Sequence, residues 1–335
     1  MQFGYSDRCL DHDTGERHPE TADRLRAIKR GLKHQHSVEY HDAPATDRAA
    51  VESVHTDSYV DKLETFCEDG GGNWDRDTVA SDGTWDAAHQ SAGLALWAAE
   101  QALAGAEGRK TPFALGRPPG HHAVSDDAMG FCFFNNVAVA AQHLIDIGAI
   151  ESAAIFDWDV HHGNGTQDIF YDSDDVFYGS IHEEGIYPGS GDVDEIGTGS
   201  GEGTTLNAPL PAGAGDADYL HLIDEALDPA LAAFDADLLI ISAGFDAHRH
   251  DPISRHRIST EGYALMTDRM RTLADRNDAA LAFVLEGGYG LDTLSDGITA
   301  VHETFDGREP IACDDEPQES TVEITSTLCE QLGLN

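Results

Sequence analysis

Asp157-Trp158-Asp159-Val160-His161-His162-Gly163-Asn164 directly follows an apolar run, Ser152 to Phe156, that reads as a buried strand. Two carboxylates and two imidazoles therefore stand at a strand end, where open α/β sheets place ligand-binding groups. If the strand continues, Asp157, Asp159 and His161 share one face, because side chains alternate with period two. Asp159 and His161 look like two thirds of a metal site, with the remaining ligand to come from another strand end. The alternative is a polar loop capping a strand, its carboxylates paired to histidines.

The same shape recurs downstream. Asp237 to Ala243 is apolar and ends in Gly244-Phe245-Asp246, a buried strand followed by an aspartate. Catalytic zinc takes three protein ligands and keeps one position open, a requirement that Asp159, His161 and Asp246 fill. Two carboxylates and one imidazole form a hard donor set, so Fe2+, Co2+ and Mn2+ stay open beside Zn2+. A second cluster suits acid–base work. The short apolar strand Pro112 to Leu115 leads into Gly116-Arg117-Pro118-Pro119-Gly120-His121-His122, a stiff turn before two adjacent histidines. Imidazole titrates nearest neutrality, and both rings could reach a water held beside the metal.

At this point the chain resembles the histone deacetylase superfamily. RPPGHHA at 117–123, GFCFFNN at 130–136, DWDVHHGNGTQ at 157–167, YPGSGD at 187–192, SAGFDAH at 242–248 and EGGY at 286–289 occur in the family's order. HDTGERHPE at 12–20 is similar to its opening loop, and the resemblance spans roughly residues 3 to 305. The nearest flavour is that of class II deacetylases and their prokaryotic relatives, which include acetylpolyamine amidohydrolases and acetoin-utilisation deacetylases.

The resemblance implies an arginase/deacetylase-like three-layer α/β fold and a role for each motif residue. Asp159, His161 and Asp246 would bind zinc. His122 would be general base and then acid, with His121 as its electrostatic partner. Asp157 would orient His121, and Asn164 would orient His122. Class I enzymes usually carry Asp at that last position. The Tyr289 phenol would lie on the acetyl carbonyl. Phe131 and Tyr187 would wall a narrow tunnel, Gly130 would offer a backbone carbonyl, and Asp77 would grip substrate amides at the rim. Ser180 and Ile181 match a structural K+ site to which Asp157, Asp159 and His161 would contribute backbone. Arg24 matches an arginine beneath the active site. The implied reaction is hydrolysis of an acetyl amide to acetate and amine, with no covalent intermediate and no use of the five cysteines.

Asp246-Ala247-His248-Arg249-His250-Asp251 is also similar to the D-A-H-x-D of arginase-like ureohydrolases, which bind two manganese ions. His250 stands at its fifth position, and the ureohydrolase S-x-D-x-D cluster is missing, so the expected site is mononuclear with His248 and His250 on its rim.

Composition sets the expected surroundings. Sixty-two acidic residues against 20 basic ones give a formal charge of −42 over 335 residues, and only 4 of the basic residues are lysine. Self-repulsion of that size destabilises a compact chain in dilute buffer, and molar salt shortens the screening length to about 3 Å. The pattern resembles cytoplasmic proteins of salt-in halophiles. It argues against nucleic acid or an anionic membrane as partner. No apolar run approaches the ~20 residues of a membrane span, and Met1 to Leu10 lacks the pattern of a signal peptide. Cysteines 9, 67, 132, 313 and 329 show no C-x-x-C spacing, which favours a reducing cytoplasm.

Along the chain, strands near 112–115, 152–157, 176–181, 237–243 and 279–285 alternate with helices. The helices are expected at Pro19–Lys33, Trp85–Leu103, Asn136–Ile147, Asp218–Phe234, Glu261–Asp275 and Val322–Leu332. That alternation predicts one catalytic domain over 1–335, a mostly parallel sheet with helices on both faces. Asp69–Gly83 and Glu183–Gly203 read as long loops, and 306–320 as a polar linker to a C-terminal helix. The expected partner is an acetylated protein or a small acetylated amine, and the oligomeric state is open. Polyamine-selective relatives carry glutamate just after the Asp-Pro that follows the metal aspartate. Here Asp251-Pro252 leads to Ile253, which puts acetyl-lysine ahead of acetylpolyamine. The competing class, a non-catalytic acyl-lysine-binding module, would be expected to lack Tyr289 or a histidine of the pair, and all three are present.

Overall fold

The apolar runs assemble into one parallel sheet in a computed structural model that describes residues 1–334. The strands are β1 (Gln2–Gly4), β2 (Glu39–His41), β3 (Gly71–Asn73), β4 (Val79–Ser81), β5 (Pro112–Ala114), β6 (Ala153–Asp157), β7 (Val176–Glu183), β8 (Thr205–Leu210), β9 (Leu238–Ala243) and β10 (Ala280–Leu285). The helices are α1 (Asp23–Leu32), α2 (Arg48–Glu52), α3 (Asp57–Glu68), α4 (Thr84–Leu103), α5 (Asn136–Asp146) and α6 (Asn164–Phe170). They continue with α7 (Asp216–Leu222), α8 (Asp228–Phe234), α9 (Thr260–Asn277), α10 (Leu291–Phe305) and α11 (Glu319–Gln331). A π-helical turn, Ile223–Leu227, joins α7 to α8, so the single helix expected there is one continuous element.

The main sheet runs β2-β1-β5-β10-β9-β6-β7-β8, with every neighbouring pair parallel. Every side chain of β6, β7 and β9 is buried whichever way it points, so both faces of the sheet are covered. α4 packs on β5 and β10, α6 on β7, and α11 on the outer strand β8. The chain steps outward from β6 through β7 to β8 and then returns to insert β9 between β6 and β10. That reversal opens a crevice beyond the carboxyl ends of β5, β6, β9 and β10, and the histidine pair, Asp157, Asp159, His161, Asp246 and Tyr289 lie at or after those strand ends.

One loop expectation changes. Asp69–Gly83 contains the antiparallel hairpin β3–β4, in register Gly72↔Ala80. The expected linker is irregular over 306–318 and tied down, with Arg308 and the Ile311 N–H both on Glu261, before α11 begins at Glu319. Among the described residues no helix is long and apolar enough to cross a membrane.

Candidate active site

β6 stops at Asp157, so the alternation of a strand does not carry the motif beyond that point. Instead the carboxylates bend the chain themselves. Asp157 Oδ1 accepts the Asp159 N–H at 3.0 Å, and Asp159 Oδ1 accepts the His161 N–H at 2.9 Å. Two successive Asx turns therefore deliver Asp159 and His161 to the crevice. The free oxygens are fixed in turn: Asp159 Oδ2 accepts Gly287 N–H at 2.8 Å, and Asp246 Oδ1 accepts Val160 N–H at 2.9 Å.

Asp159, His161 and Asp246 each bring one ligand atom within 4.8 Å of the others. His161 Nδ1 lies 3.1 Å from Asp159 Oδ1 and 3.2 Å from Asp246 Oδ2. Asp246 Oδ2, wholly buried, has no aligned hydrogen-bond donor among the described residues. Burial and the charge of Asp159 push the Asp246 carboxyl up. Burial pulls on His161 in the other direction, but the two carboxylates outweigh it and raise its pKa to about 10. Two carboxylates converging on one imidazole in a dry site call for a cation, and a divalent ion would displace that imidazole proton. The residues fit a metal. Gly287 leaves room for the cluster, since a Cβ there would sit 2.2 Å from Asp246 Oδ2 and 2.4 Å from Asp159 Oδ2.

The histidine pair stands beside this group. The rings of His121 and His122 are 4.0 Å apart, and His122 is 5.9 Å from His161. His121 Nδ1 meets Asp157 Oδ2 at 2.9 Å, and His122 Nδ1 meets Asn164 Oδ1 at 2.8 Å. A carbonyl oxygen only accepts, so the Asn164 bond places the His122 proton on Nδ1 and leaves Nε2 free. Burial lowers His121, but Asp157 and Asp159 overcome it and hold its pKa at about 10. Burial and the neighbouring charges of His121 and His161 press His122 well below the ordinary imidazole value. One ring is thus cationic and its neighbour is a neutral base.

Tyr289 lies just beyond the end of β10. Burial pushes its phenol well above 10, so it remains a donor. Arg24, fully buried, fixes that loop: its Nε donates to the Gly288 carbonyl at 2.7 Å, and its guanidinium lies 5.1 Å from the Tyr289 ring. Asp251 Oδ2 accepts the N–H groups of both Tyr289 and Gly290, at 2.8 and 2.9 Å. Phe131 packs edge-on against Tyr289 at 5.8 Å, and Tyr187 edge-on against His122 at 5.0 Å. Tyr187 keeps 38 % of its surface exposed, which makes it a wall of the opening and not core. Gly130 has φ +56°, and a Cβ there would lie 2.3 Å from the His122 ring. Its carbonyl already accepts the Cys132 thiol at 3.3 Å. Phe131 itself takes the left-handed region at φ +70°, uncommon for a bulky residue and characteristic of functional sites.

Asp77 lies exposed on the rim, and its backbone carbonyl meets His18 Nε2 at 2.8 Å. His18 in turn packs edge-on against Phe131 at 4.6 Å. Ser180 and Ile181 lie buried in β7, with Ser180 paired in register to Asp157 and its hydroxyl 2.9 Å from His182 Nδ1. One expectation is corrected: His248 is not on the rim. It is buried, stacked on Tyr263 and 3.2 Å from Thr260 Oγ1, because the bridge to Ile258 folds its loop inward; only His250 is exposed. Sequence reading gave no role to Asp251, Glu20 or Arg117. Arg117 Nε donates to Glu20 at 2.7 Å, and Arg24 shares that carboxylate.

Comparison with known proteins agrees with this geometry. A family model described as "Histone deacetylase domain" matches residues 18–305. The chain belongs to the histone deacetylase family. It is a deacetylase that acts as an amidohydrolase. "Histone deacetylase 10, chloroplastic" of Oryza sativa subsp. japonica is 38% identical to the deacetylase over 321 residues, covering 89% of this chain and 71% of the rice protein. A "Probable deacetylase" of Archaeoglobus fulgidus is 40% identical, covering 86% of this chain and 81% of its own length. A "Histone deacetylase-like amidohydrolase" of Pseudomonas aeruginosa is 37% identical, covering 81% and 71%. The crystal structure of the HDA15 HD domain superposes with TM-score 0.89 at 34% identity, covering 100% of the deacetylase and 98% of that chain. The eight-stranded parallel sheet is thus the arginase/deacetylase-like fold that the motifs imply.

Proposed function

We propose that the deacetylase hydrolyses the acetyl amide of acetyl-lysine in proteins, using zinc. The observation that carries the proposal is the triangle of Asp159, His161 and Asp246 within 4.8 Å, next to a neutral His122 backed by a cationic His121. Zinc bound there would polarise the amide carbonyl and acidify water. His122 Nε2 takes the proton of the attacking water and later returns it to the departing amine. His121, held by Asp157, supplies positive charge beside the developing oxyanion. The Tyr289 hydroxyl donates to that same oxygen. Phe131 and Tyr187 hold the acyl-bearing alkyl chain and limit water, and Gly130 and Asp77 offer acceptors to its amides. Structural K+ at Ser180, Ile181 and the backbone of Asp157, Asp159 and His161 belongs to the same proposal. So does a salt-rich cytoplasm, which the formal charge of −42 favours.

Acetylpolyamines are the second substrate class. Ile253, 38 % exposed after Asp251-Pro252, offers no carboxylate to a distant ammonium, which places protein acetyl-lysine first. The test is acetate release by zinc-loaded protein in molar KCl, comparing an acetyl-lysine peptide with N-acetylputrescine. Turnover of the peptide that vanishes in His122→Ala is expected. Preference for N-acetylputrescine reverses the substrate order, and zinc binding without turnover of either favours an acyl-lysine-binding module or a different acyl amide.

A further inference from the structure

Glu286 is fully buried, and the chemistry above gives it no part. It follows β10 directly, and its N–H donates to the Ala243 carbonyl at the end of β9, 3.0 Å away. Its carboxylate reaches toward the end of β5. There the single oxygen Oε2 accepts two N–H groups, from Gly120 at 2.7 Å and from His121 at 3.2 Å. Its own carbonyl accepts Nη2 of Arg24, the guanidinium that lies against Tyr289. Glu286 therefore holds the turn before the histidine pair with its side chain and the Tyr289 loop with its main chain.

Glu286, His121 and Cys132 bring polar atoms within 4.8 Å of one another, but they do not form a metal site. Burial keeps the Cys132 thiol protonated, and it donates to the Gly130 carbonyl. The other carboxylate oxygen, Oε1, has no hydrogen-bond partner among the described residues. The need for an acceptor here is local. The segment after Pro118-Pro119 forms no strand or helix, so the inward N–H groups of Gly120 and His121 have no ladder to join. A buried N–H left unpaired is unfavourable, and one carboxylate oxygen satisfies both.

We infer that Glu286 is the positioning residue of this active site: by holding the Gly120 and His121 N–H groups on one oxygen, it sets where the histidine pair stands relative to Tyr289. The inference rests on the roles given above to His121, His122 and Tyr289. Both donors are neutral backbone groups that need only a lone pair. Burial also pushes the Glu286 carboxyl up to about 7, and either protonation state still presents an acceptor. A glutamine would serve in its place, whereas an alanine would not.

The experiment compares Glu286→Gln and Glu286→Ala in the zinc-loaded full chain in molar KCl. It reads kcat and KM on the acetyl-lysine peptide, zinc stoichiometry, and the imidazole 1H–15N signals of His121 and His122. Displacing a catalytic group by about 1 Å lowers rate by up to about a hundredfold. Glu286→Ala is therefore expected to lose about 30-fold or more in kcat, with KM within about threefold, full zinc and shifted His121 and His122 signals. Glu286→Gln is expected to keep kcat within about fivefold, with signals near wild type. If Glu286→Ala does not fold, Glu286→Leu fills the space without an acceptor and carries the same expectation. Wild-type kcat and unmoved imidazole signals in the alanine variant overturn the inference. So does a glutamine variant as impaired as alanine, or a loss that follows zinc content. A wild type without turnover of the peptide refutes the acetyl-lysine reading of the site, while the imidazole signals still decide the role of Glu286.

Discussion

Gly287→Ala is the substitution whose effect the geometry fixes most tightly. A methyl group at this position would lie 2.2 Å from Asp246 Oδ2 and 2.4 Å from Asp159 Oδ2, where ordinary contact begins at 3.4 Å. Both obstacles are short, buried carboxylates held by backbone N–H groups, so neither can swing aside as a long side chain would. Each oxygen must retreat by about 1 Å, and zinc–carboxylate bonds of about 2.0–2.2 Å do not tolerate that. Disturbing only the residues around metal ligands already weakens affinity about 10- to 100-fold, and the upper end is expected here because the ligand atoms themselves move. Competition with a chromogenic chelator measures the change directly. Thermal unfolding gives a second reading. Zinc at 100 times its Kd stabilises the native state by about 2.7 kcal/mol, and the same concentration after a hundredfold loss stabilises it by only about 0.4 kcal/mol. The metal-free forms should differ far less than the zinc-loaded ones. An alanine variant that binds zinc as tightly as wild type would refute the assignment of Asp159 and Asp246 as ligands.

Asn164→Asp sets a carboxylate where the amide oxygen now meets His122 at 2.8 Å. Opposing the burial that holds His122 down, the new charge raises its pKa, so the acid limb of kcat/KM moves to higher pH by about one unit or more. An unmoved limb means that His122 is not the titrating base. Salt should matter strongly at a formal charge of −42, since the screening length falls from about 10 Å at 0.1 M to 3 Å at 1 M. The melting temperature is expected to rise across that range, and a flat or falling trend removes self-repulsion as the cause. His55 is buried and neutral, with burial lowering its pKa to about 4 while its ring bonds the Val124 carbonyl and the Asn135 N–H. A depressed imidazole pKa means that the unfolded chain binds the extra proton between pH 6.5 and 4. The His55 contribution is therefore full above pH 6.5 and falls by up to about 1.4 kcal/mol per unit as pH drops toward 4. Urea unfolding of wild type and His55→Gln should converge with that slope, and parallel pH profiles would show that His55 is not neutral in the fold.

Asp159, His161, Asp246 and the His121-His122 pair were legible in the sequence because each follows a strong apolar strand, but the route by which they converge was not. Strand alternation predicts Asp157, Asp159 and His161 on one face, yet β6 ends at Asp157 and two Asx turns do the placing. The types of the residues carried the information, and the assumed periodicity was wrong. Other omissions have equally local causes. β8 contains Pro209, which argues against a strand until β8 is seen to be the outer strand of the sheet, where proline is tolerated. α10 repeats Leu294, Ile298, Val301 and Phe305 at helical spacing, so its signal was present and unused. β1 and β2 are three residues each, too short for any period to emerge. Glu286 belongs to a different category. It lies in a recognised motif, but its partners are backbone N–H groups 165 and 166 residues away, and every residue except proline carries such a group. Side-chain patterns mark which strand ends meet. Which carboxylate then holds which peptide group depends on how β5 and β10 lie side by side, and that relation exists only once the sheet has formed.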